Sequence, residues 1–325
     1  MAAADQIKSL IKSFGDGDDS RFFATAMQIA ATKARQGHTV FAQELKNLID
    51  KAKKDRSGAF LDKGRTISIS KPKRELEELV EVFYPKIKLR DMVLNPNLKS
   101  SLDRIVAEQR KKDILRSHNL HPRRKLLLTG QPGSGKTMTA QALAGELGLT
   151  VFIIRLDGLI SKFMGESISK LRLLFEAMED HRGVYLFDEF DSIGAHRDQG
   201  QDVGEIKRVL NSFLINIEKD TSNSIIIAAT NLPETLDKAL FRRFDDIIKY
   251  PLPDLTEIQS LLKKQLHGFK LSKTNGIEIV SKECLGLSYA DIVRACEESI
   301  KEMIINENSQ VSVSSLINSL GDRKQ

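Results

Sequence analysis

The glycine-rich run GQPGSGKT at 130–137 has the residue types that hold the phosphate groups of a nucleotide. Its glycines allow the backbone to curl so that N–H groups point at phosphate oxygens, and the helix that follows presents its positive end. In this pattern the Lys136 ammonium reaches the β- and γ-phosphates, and the Thr137 hydroxyl binds Mg²⁺. A simple glycine-rich turn is the alternative. The predicted phosphate-binding residues are Gly130, Pro132, Gly133, Ser134, Gly135, Lys136, Thr137 and Met138.

Two adjacent acidic residues, Asp188 and Glu189, follow an apolar run further along the chain. An aspartate at the carboxyl end of a parallel strand beside a phosphate loop can hold Mg²⁺, usually through water. The next carboxylate can then orient and polarise the attacking water. An ordinary strand end is the alternative, but the preceding phosphate loop favours catalysis. Asp191 is expected to support the site by binding a neighbouring basic group.

Asn231 and the pair Arg242–Arg243 are further candidates for triphosphate hydrolysis. Asn231 closes a predicted strand and can hydrogen-bond the attacking water or the γ-phosphate, although an Asn before Leu-Pro can simply form a turn. A guanidinium offered to the γ-phosphate of a neighbouring subunit is an arginine finger, worth about 10³ to 10⁵ in rate. A salt-bridged surface pair is the alternative for the two arginines.

Short apolar runs predict the strands that would position these side chains. They lie at 125–129, 150–155, 183–188, 224–230 and 246–250. Strands that are apolar throughout and alternate with helices are typical of a parallel sheet covered on both faces. Beyond Pro253 no strand run occurs, and helices are predicted near 256–268, 288–306 and 312–320. The sequence therefore predicts an α/β domain followed by an all-helical subdomain.

The N-terminal residues predict a small bundle of three amphipathic helices. The apolar positions are Ile7, Leu10, Ile11 and Phe14 in the first helix, Phe22, Ala26, Ile29 and Ala30 in the second, and Phe41, Leu45, Leu48 and Ile49 in the third. Residues 51–90 are charged and contain Gly58, Gly64 and Pro72, which predicts a linker with one helical piece at 75–83.

The composition excludes several classes of protein. A chain of 325 residues with 41% hydrophobic and 29% charged residues is typical of a globular protein, not of a disordered one. No apolar run approaches the roughly 18 to 20 residues of a membrane span, and the first residues lack a secretory signal. Cys284 and Cys296 fit no metal spacing and no disulfide framework. We therefore expect a cytoplasmic protein without membrane insertion.

Taken in order, the motifs resemble those of the AAA family of AAA+ ATPases over residues 89–322. GQPGSGKT resembles the family's Walker A motif, VYLFDEFDSI (184–193) resembles Walker B with the following acidic turn, and IIIAATN (225–231) resembles the sensor-1 strand. LDKALFRRFD (236–245) is similar to the finger region of katanin- and spastin-like members.

Two more segments gain a role through this resemblance. LRDMV (89–93) looks like the family's segment whose backbone contacts adenine, which implies nucleotide contacts for Asp91, Met92 and Val93. GLSYADI (286–292) resembles the G-x-S-G-A-D-I motif of the family's helical lid, which implies nucleotide contacts for Ala290 and Asp291 within it. Tyr289 stands where the family has a small Gly.

LISKFMGES (159–167) resembles the aromatic–hydrophobic–Gly pore loop of these machines, with Phe163, Met164 and Gly165 in the three places. In a ring of subunits such a loop grips an extended polypeptide in a central channel, and an unbranched, polarizable Met suits a promiscuous grip. The alternative is that Phe163 is an ordinary core residue. Residues 197–205 are the expected second pore-facing loop.

The resemblance implies a P-loop NTPase fold with a parallel five-stranded sheet of order 5-1-4-3-2. The predicted domains are an N-terminal bundle at 1–55, a charged linker at 56–90, a large α/β ATPase subdomain at 91–252 and a helical lid at 253–325. It also implies a Mg²⁺-dependent ATPase that hydrolyses ATP to ADP and phosphate. The expected assembly is a homo-oligomer, a hexamer, that remodels, unfolds or translocates protein substrates through a central pore.

The N-terminal bundle is similar to microtubule-interacting-and-trafficking modules and to segments of bacterial standalone AAA ATPases encoded beside subtilisin-like serine proteases. It would recruit a substrate or partner, with a collaborating serine protease as one candidate, or it would only stabilise the ring.

Two rival functions remain open at this point. The net charge of +6 comes from 50 basic and 44 acidic residues, with basic stretches at 51–90 and 110–125. These stretches would suit a nucleic-acid-associated ATP-driven motor or loader, although solvated surface is the simpler interpretation. The sequence contains no helix-turn-helix signal and no basic patch interleaved with aromatic residues, which speaks against nucleic-acid binding. A nucleotide-dependent switch that scarcely hydrolyses is the other rival, and Glu189 speaks against it.

Overall fold

The computed structural model describes residues 25–27, 29, 30, 32, 42–49, 76, 79–156, 158, 159, 166–194, 203–236 and 238–324. The chain divides into two compact units, Met1–Ser68 and Ile69–Gln325. In the first unit residues 42–49 and the described residues of 25–32 are helical, and Ala26 and Ile49 are buried together. The second and third predicted helices are confirmed there, although Leu48 is 63% exposed. The first predicted helix and most of the predicted linker lie outside the described residues.

The second unit is built on a six-stranded sheet with the spatial order β1-β3-β4-β5-β2-β6. The strands are β1 (Val80–Phe83), β2 (Lys125–Gly130), β3 (Thr150–Arg155), β4 (Gly183–Asp188), β5 (Ile225–Thr230) and β6 (Asp246–Tyr250). Strands β2 to β6 are parallel, while β1 runs antiparallel to β3 at the edge. The five predicted strands and their order are therefore confirmed, with one strand added.

Strand β1 corrects the prediction of a helical piece at 75–83. Val80 pairs with Ile154 and Phe83 pairs with Val151, so the described end of this segment is extended. The Glu- and Leu-rich start of the segment favours a helix by intrinsic propensity. Pairing with the free edge of β3 overrides that preference, and Val80, Val82 and Phe83 are residue types that favour strands.

Helices cover both faces of the sheet. They are α1 (Pro96–Arg110), α2 (Lys112–Ser117), α3 (Lys136–Leu147), α4 (Ser167–Asp180), α5 (Asp191–Gly194), α6 (Val203–Lys219) and α7 (Lys238–Phe241). Leu126 and Leu128 of β2 pack with α1 and α3, whereas Leu127 packs with α4 and α6. All three leucines are 0% exposed, which confirms a strand buried on both faces.

A helical subdomain follows β6, as predicted. Its helices are α8 (Leu255–Gln265), α9 (Gly276–Glu283), α10 (Tyr289–Ile305) and α11 (Val313–Gly321). Helix α9 was not predicted from the sequence. The free thiols of Cys284 and Cys296 lie in the core of this subdomain, where burial raises the pKa of each to about 12. Among the described residues, no helix is both long enough and apolar enough to cross a membrane.

Candidate functional site

The loop between β2 and α3 has the shape of a phosphate cradle. Gly133 has φ +74° and Gly135 has φ +99°, a left-handed backbone that glycine adopts at little cost. Gly135 is also the N-cap of α3, so the loop leads directly into the positive end of that helix. Successive backbone N–H groups ahead of a helix N-terminus can hold the phosphate oxygens of a nucleotide.

Lys136 extends beneath this loop and meets Asn231 at the end of β5. Its ammonium donates to the carbonyl oxygens of Gly130 and Gln131, at 2.7 and 2.9 Å, and to Oδ1 of Asn231 at 2.8 Å. Burial lowers the pKa of Lys136, and the Asp188 carboxylate partly opposes this shift. A phosphate anion placed beside the ammonium would favour its charged form.

Thr137 and Asp188 form the part of the site that fits Mg²⁺. The Thr137 hydroxyl donates to Oδ2 of Asp188 at 2.8 Å, so a hydroxyl and a carboxylate oxygen already lie side by side. Hard oxygen ligands of this kind suit Mg²⁺, which is usually held by one or two protein groups, water and substrate phosphates. The described residues contain no group of three or more His, Cys, Asp or Glu side chains that could hold a metal.

Glu189 stands in an unusual backbone conformation. Its φ is +55°, and the neighbouring Phe190 is 0% exposed and donates its backbone N–H to the Ala229 carbonyl. A non-glycine residue in the left-handed region costs about 1–3 kcal/mol and persists where its surroundings enforce it, often at active sites. Here the anchored Phe190 holds the turn, and the exposed Glu189 side chain faces the cleft.

Asp191 accepts hydrogen bonds from polar groups of β5 and its end. Its Oδ1 accepts from the Thr230 hydroxyl at 3.2 Å and from the Asn231 backbone N–H at 3.0 Å. Asp191 therefore fixes the backbone of Asn231. Among the described residues it forms no ion pair of the kind expected, and its charge instead favours the charged form of Lys136.

A cleft of about 640 Å³ joins these residues to the helical subdomain. The predicted residues that line it are Asp91, Met92, Val93, Pro132, Gly133, Ser134, Gly135, Lys136, Thr137, Met138, Asp188, Glu189, Asn231 and Ala290. Two of the predicted nucleotide-binding residues lie outside the lining. Gly130 lies against Tyr250, and its carbonyl accepts from Lys136. Asp291 is part of the capping box of α10, where its carboxylate accepts from the Ser288 backbone N–H at 3.3 Å and from the Ser288 hydroxyl at 2.6 Å.

Most of the cleft wall formed by α8 and α10 was not predicted from the sequence. The additional lining residues there are Leu261, Lys264, Gln265, Val293, Arg294 and Glu297. On α10, Val293 and Glu297 follow Tyr289 at four-residue intervals and therefore lie on the same face of the helix. Once one of these residues is assigned to the cleft, helical periodicity predicts the other two. The Ala290 N–H donates to the Gly133 carbonyl at 3.1 Å, which joins α10 to the phosphate loop.

The two arginines of the predicted finger region follow α7 and do not line the described part of their own chain's cleft. Arg243 pairs with Glu218 at 3.0 Å and both side chains are partly exposed, while Arg242 is exposed. Asp245 anchors this segment, because its carboxylate accepts from the backbone N–H groups of Arg124 and Lys125, each at 2.9 Å. The predicted pore residues Phe163, Met164 and Gly165 lie outside the described residues.

Gly133→Ala tests the junction between loop and lid. A Cβ there would lie 2.5 Å from Oγ of Ser288 and 2.8 Å from Cβ of Ala290, so α10 would have to move. We expect ADP affinity, measured by calorimetry, to fall at least about tenfold. Gly148→Ala is the matched control, since φ is +63° and a Cβ meets nothing within 4 Å. In both variants a non-glycine residue in the left-handed backbone conformation costs about 1–2 kcal/mol. Equal ADP affinities in the two would therefore contradict the predicted clash with α10.

Comparisons with known proteins agree with this site. Residues 126–252 match the model of the "ATPase family associated with various cellular activities (AAA)". The chain is 33% identical to the uncharacterized AAA family ATPase y4kL of Sinorhizobium fredii over 311 residues, 96% of this chain and 92% of that protein. It is 33% identical to the proteasome-activating nucleotidase of Saccharolobus islandicus over 267 residues, 75% of this chain and 67% of that protein.

A solved structure shares the fold. The crystal structure of the FIGL-1 AAA domain matches with a TM-score of 0.63 and 24% identity, covering 80% of this chain and 90% of that chain. The fold predicted by resemblance is therefore confirmed, as is the nucleotide-binding enzyme class. The chain belongs to the AAA family of ATPases.

Proposed function

We propose that this ATPase is a Mg²⁺-dependent, oligomeric motor that remodels, unfolds or translocates protein substrates in the cytoplasm. The observation that carries the proposal is the separation of two sets of groups. The phosphate loop, Asp188, Glu189 and Asn231 face one cleft, whereas Arg242 is exposed outside it. The cleft has the guanidinium of Arg294 on its α10 wall, whereas Arg242 could reach a γ-phosphate only in the cleft of a neighbouring chain.

Each group in the cleft has a proposed part in hydrolysis. The loop amides and Lys136 bind the phosphates, and Mg²⁺, held by Thr137 and Asp188, would neutralise the charge that develops on them. The Glu189 carboxylate orients the attacking water and accepts hydrogen bonds from it. Asn231, fixed through its backbone by Asp191, hydrogen-bonds the γ-phosphate or the same water.

Arg242 and Arg243 are proposed to act in the cleft of the next subunit. An arginine that reaches from one copy to the next makes a head-to-tail interface, and such interfaces close into rings when the rotation allows. We propose a hexameric ring for this chain. In it Arg243 would leave Glu218, a partly exposed ion pair whose loss costs little.

The proposed substrate is protein. A relative of this chain is named as a proteasome-activating nucleotidase, and that name concerns protein degradation. The pore-loop sequence at Phe163, Met164 and Gly165 supports the same interpretation. We propose further that residues 1–55 recruit a substrate or partner protein, with a collaborating serine protease as a candidate. The proposed division of the remaining chain is a linker at 56–90, the ATPase subdomain at 91–252 and the lid at 253–325.

The second basic stretch supports a protein substrate over nucleic acid. Three of its four arginines form ion pairs within the chain: Arg110 pairs with Glu146 at 3.0 Å, Arg123 pairs with Glu108 at 3.0 Å, and Arg124 pairs with Asp220. Hydrogen bonds from Arg123 lower the pKa of Glu108 even though burial opposes this shift. The guanidinium groups of Arg123 and Arg124 are mostly buried in these pairs and are therefore not free to neutralise phosphates of DNA or RNA.

Phe163→Ala is the experiment that tests protein processing. We expect the number of reporter molecules unfolded per ATP hydrolysed to fall at least tenfold, because the aromatic grip would be lost while the chemistry remains in the cleft. The reporter is a folded fluorescent protein with an unstructured tail, and Phe163→Tyr is the matched control that keeps an aromatic ring. An unchanged ratio in Phe163→Ala, or an equal loss in both variants, would contradict the pore assignment.

A further inference from the structure

Tyr289 lines the nucleotide cleft on the wall that the helical subdomain contributes. The Ala290 N–H bonded to Gly133 places the start of α10 against the phosphate loop, and Tyr289 is the first residue of that helix. Its side chain is partly exposed and lines the cleft together with Met92, Val93 and Leu261. Val93, Leu261 and Tyr289 belong to one hydrophobic cluster, so this part of the cleft wall is apolar except for Lys264, which donates to the Asp91 carbonyl oxygen.

The ring of Tyr289 is held in one position by its hydroxyl. The hydroxyl donates to Oε1 of Glu257 at 2.9 Å, and Glu257 is 5% exposed. The other oxygen of Glu257 accepts from the Asp254 backbone N–H at 2.8 Å as part of the capping box of α8. Burial and the bond to Glu257 raise the pKa of Tyr289, so the hydroxyl stays protonated and donates. Swinging the ring away would leave a buried carboxylate oxygen without this donor.

Tyr289 is the one aromatic side chain among the described residues that line the cleft. A nucleobase is flat and has a π-face on each side, and aromatic side chains bind such faces by stacking, with little dependence on which base is present. When the loop holds the phosphates of a nucleotide, the base would lie further along the cleft, against its apolar wall.

We propose that Tyr289 binds the face of the nucleobase and that Glu257, through its hydrogen bond to the Tyr289 hydroxyl, is the positioning residue that holds the ring ready. This inference rests on the assignment of the cleft as the nucleotide site. It adds a ligand-binding role for a bulky residue at a place where the related motif has glycine.

Calorimetric titration of the full chain with Mg²⁺-ADP and with Mg²⁺-pyrophosphate separates base binding from phosphate binding. We expect Tyr289→Ala to weaken ADP about tenfold, which is about 1.4 kcal/mol, and to change pyrophosphate affinity less than about twofold. Tyr289→Leu, which keeps apolar bulk without a π-face, should weaken ADP about fivefold and serves if the alanine variant fails to fold. Tyr289→Phe keeps the ring and should lose no more than about threefold.

Tyr84→Ala is the matched control, since Tyr84 is partly exposed and lies outside the cleft lining; it should bind both ligands as the wild type does. For the positioning role, Glu257→Leu should weaken ADP in the wild-type background but not in Tyr289→Ala, and Glu257→Gln, which keeps one of the two acceptor oxygens, should lose less affinity than Glu257→Leu.

Two results would overturn the inference alone: ADP affinity unchanged in Tyr289→Ala and Tyr289→Leu, or an equal loss for ADP and pyrophosphate, which would make Tyr289 a packing residue of the lid. A wild-type chain that binds neither ligand would overturn the cleft assignment itself, together with the inference.

Discussion

Glu189→Gln is expected to lower ATP turnover about 10³-fold while ATP still binds. The amide has the size of the carboxylate, so the turn at φ +55° and the buried Phe190 should be preserved. It cannot accept a proton from the attacking water or polarise it as a carboxylate does. Phosphate release measures turnover, and calorimetry with Mg²⁺-ATP measures binding.

The control for this variant is Glu176→Gln. Glu176 pairs with Arg172 at 3.0 Å on α4, and both side chains are more than half exposed. Removing such a surface pair changes little, so turnover should stay at the wild-type level. If Glu189→Gln hydrolysed ATP at the wild-type rate, the assignment of Glu189 would be wrong. If it no longer bound ATP, Glu189 would be a structural residue of the cleft.

Arg242→Ala and Arg243→Ala are each expected to lower turnover about 10³-fold with little change in ADP affinity. The reason is their position, because neither guanidinium lines the cleft of its own chain in the part that the structure describes. A group that acts only on a neighbour's γ-phosphate contributes to the transition state but not to ADP binding. The readouts are phosphate release at saturating ATP and calorimetry with Mg²⁺-ADP.

Arg172→Ala removes the exposed partner of Glu176 and serves as the arginine control. It should retain wild-type turnover. Should Arg242→Ala and Arg243→Ala both behave like Arg172→Ala, the two finger candidates would be no more than a surface pair. A loss of ADP affinity as large as the loss of turnover would instead place them in their own chain's site.

The parts of the fold that the sequence predicts well depend on local signals. Strands β2 to β5 are mostly apolar runs with polar residues at their ends, and the phosphate loop is a contiguous pattern whose glycines are required by backbone conformation. Asp188, Asn231 and the loop meet because the carboxyl ends of parallel strands share one edge of the sheet. The position of each one directly after a parallel strand was therefore enough to predict that they meet.

What the sequence does not predict depends on tertiary partners. Strand β1 forms because the edge of β3 is available, although its neighbouring residues favour a helix. The contact of Tyr289 with Glu257 joins α8 to α10 across a gap of 32 residues. The hydrogen bond that the Asn231 N–H donates to Asp191 depends on where α5 begins. No local pattern marks such pairs, because each is decided by how separate elements pack.

The central claim is that each ATP site is completed by the neighbouring chain, and mixing two inactive variants tests it most directly. In a mixed ring, an Arg242→Ala chain keeps its own Glu189, and a Glu189→Gln neighbour supplies Arg242 to it. At equal proportions with random assembly we expect turnover to recover to about a quarter of the wild-type value, since about one site in four has this arrangement. Turnover no greater than the sum of the two variants measured separately, under conditions where the chains exchange, would contradict the shared site.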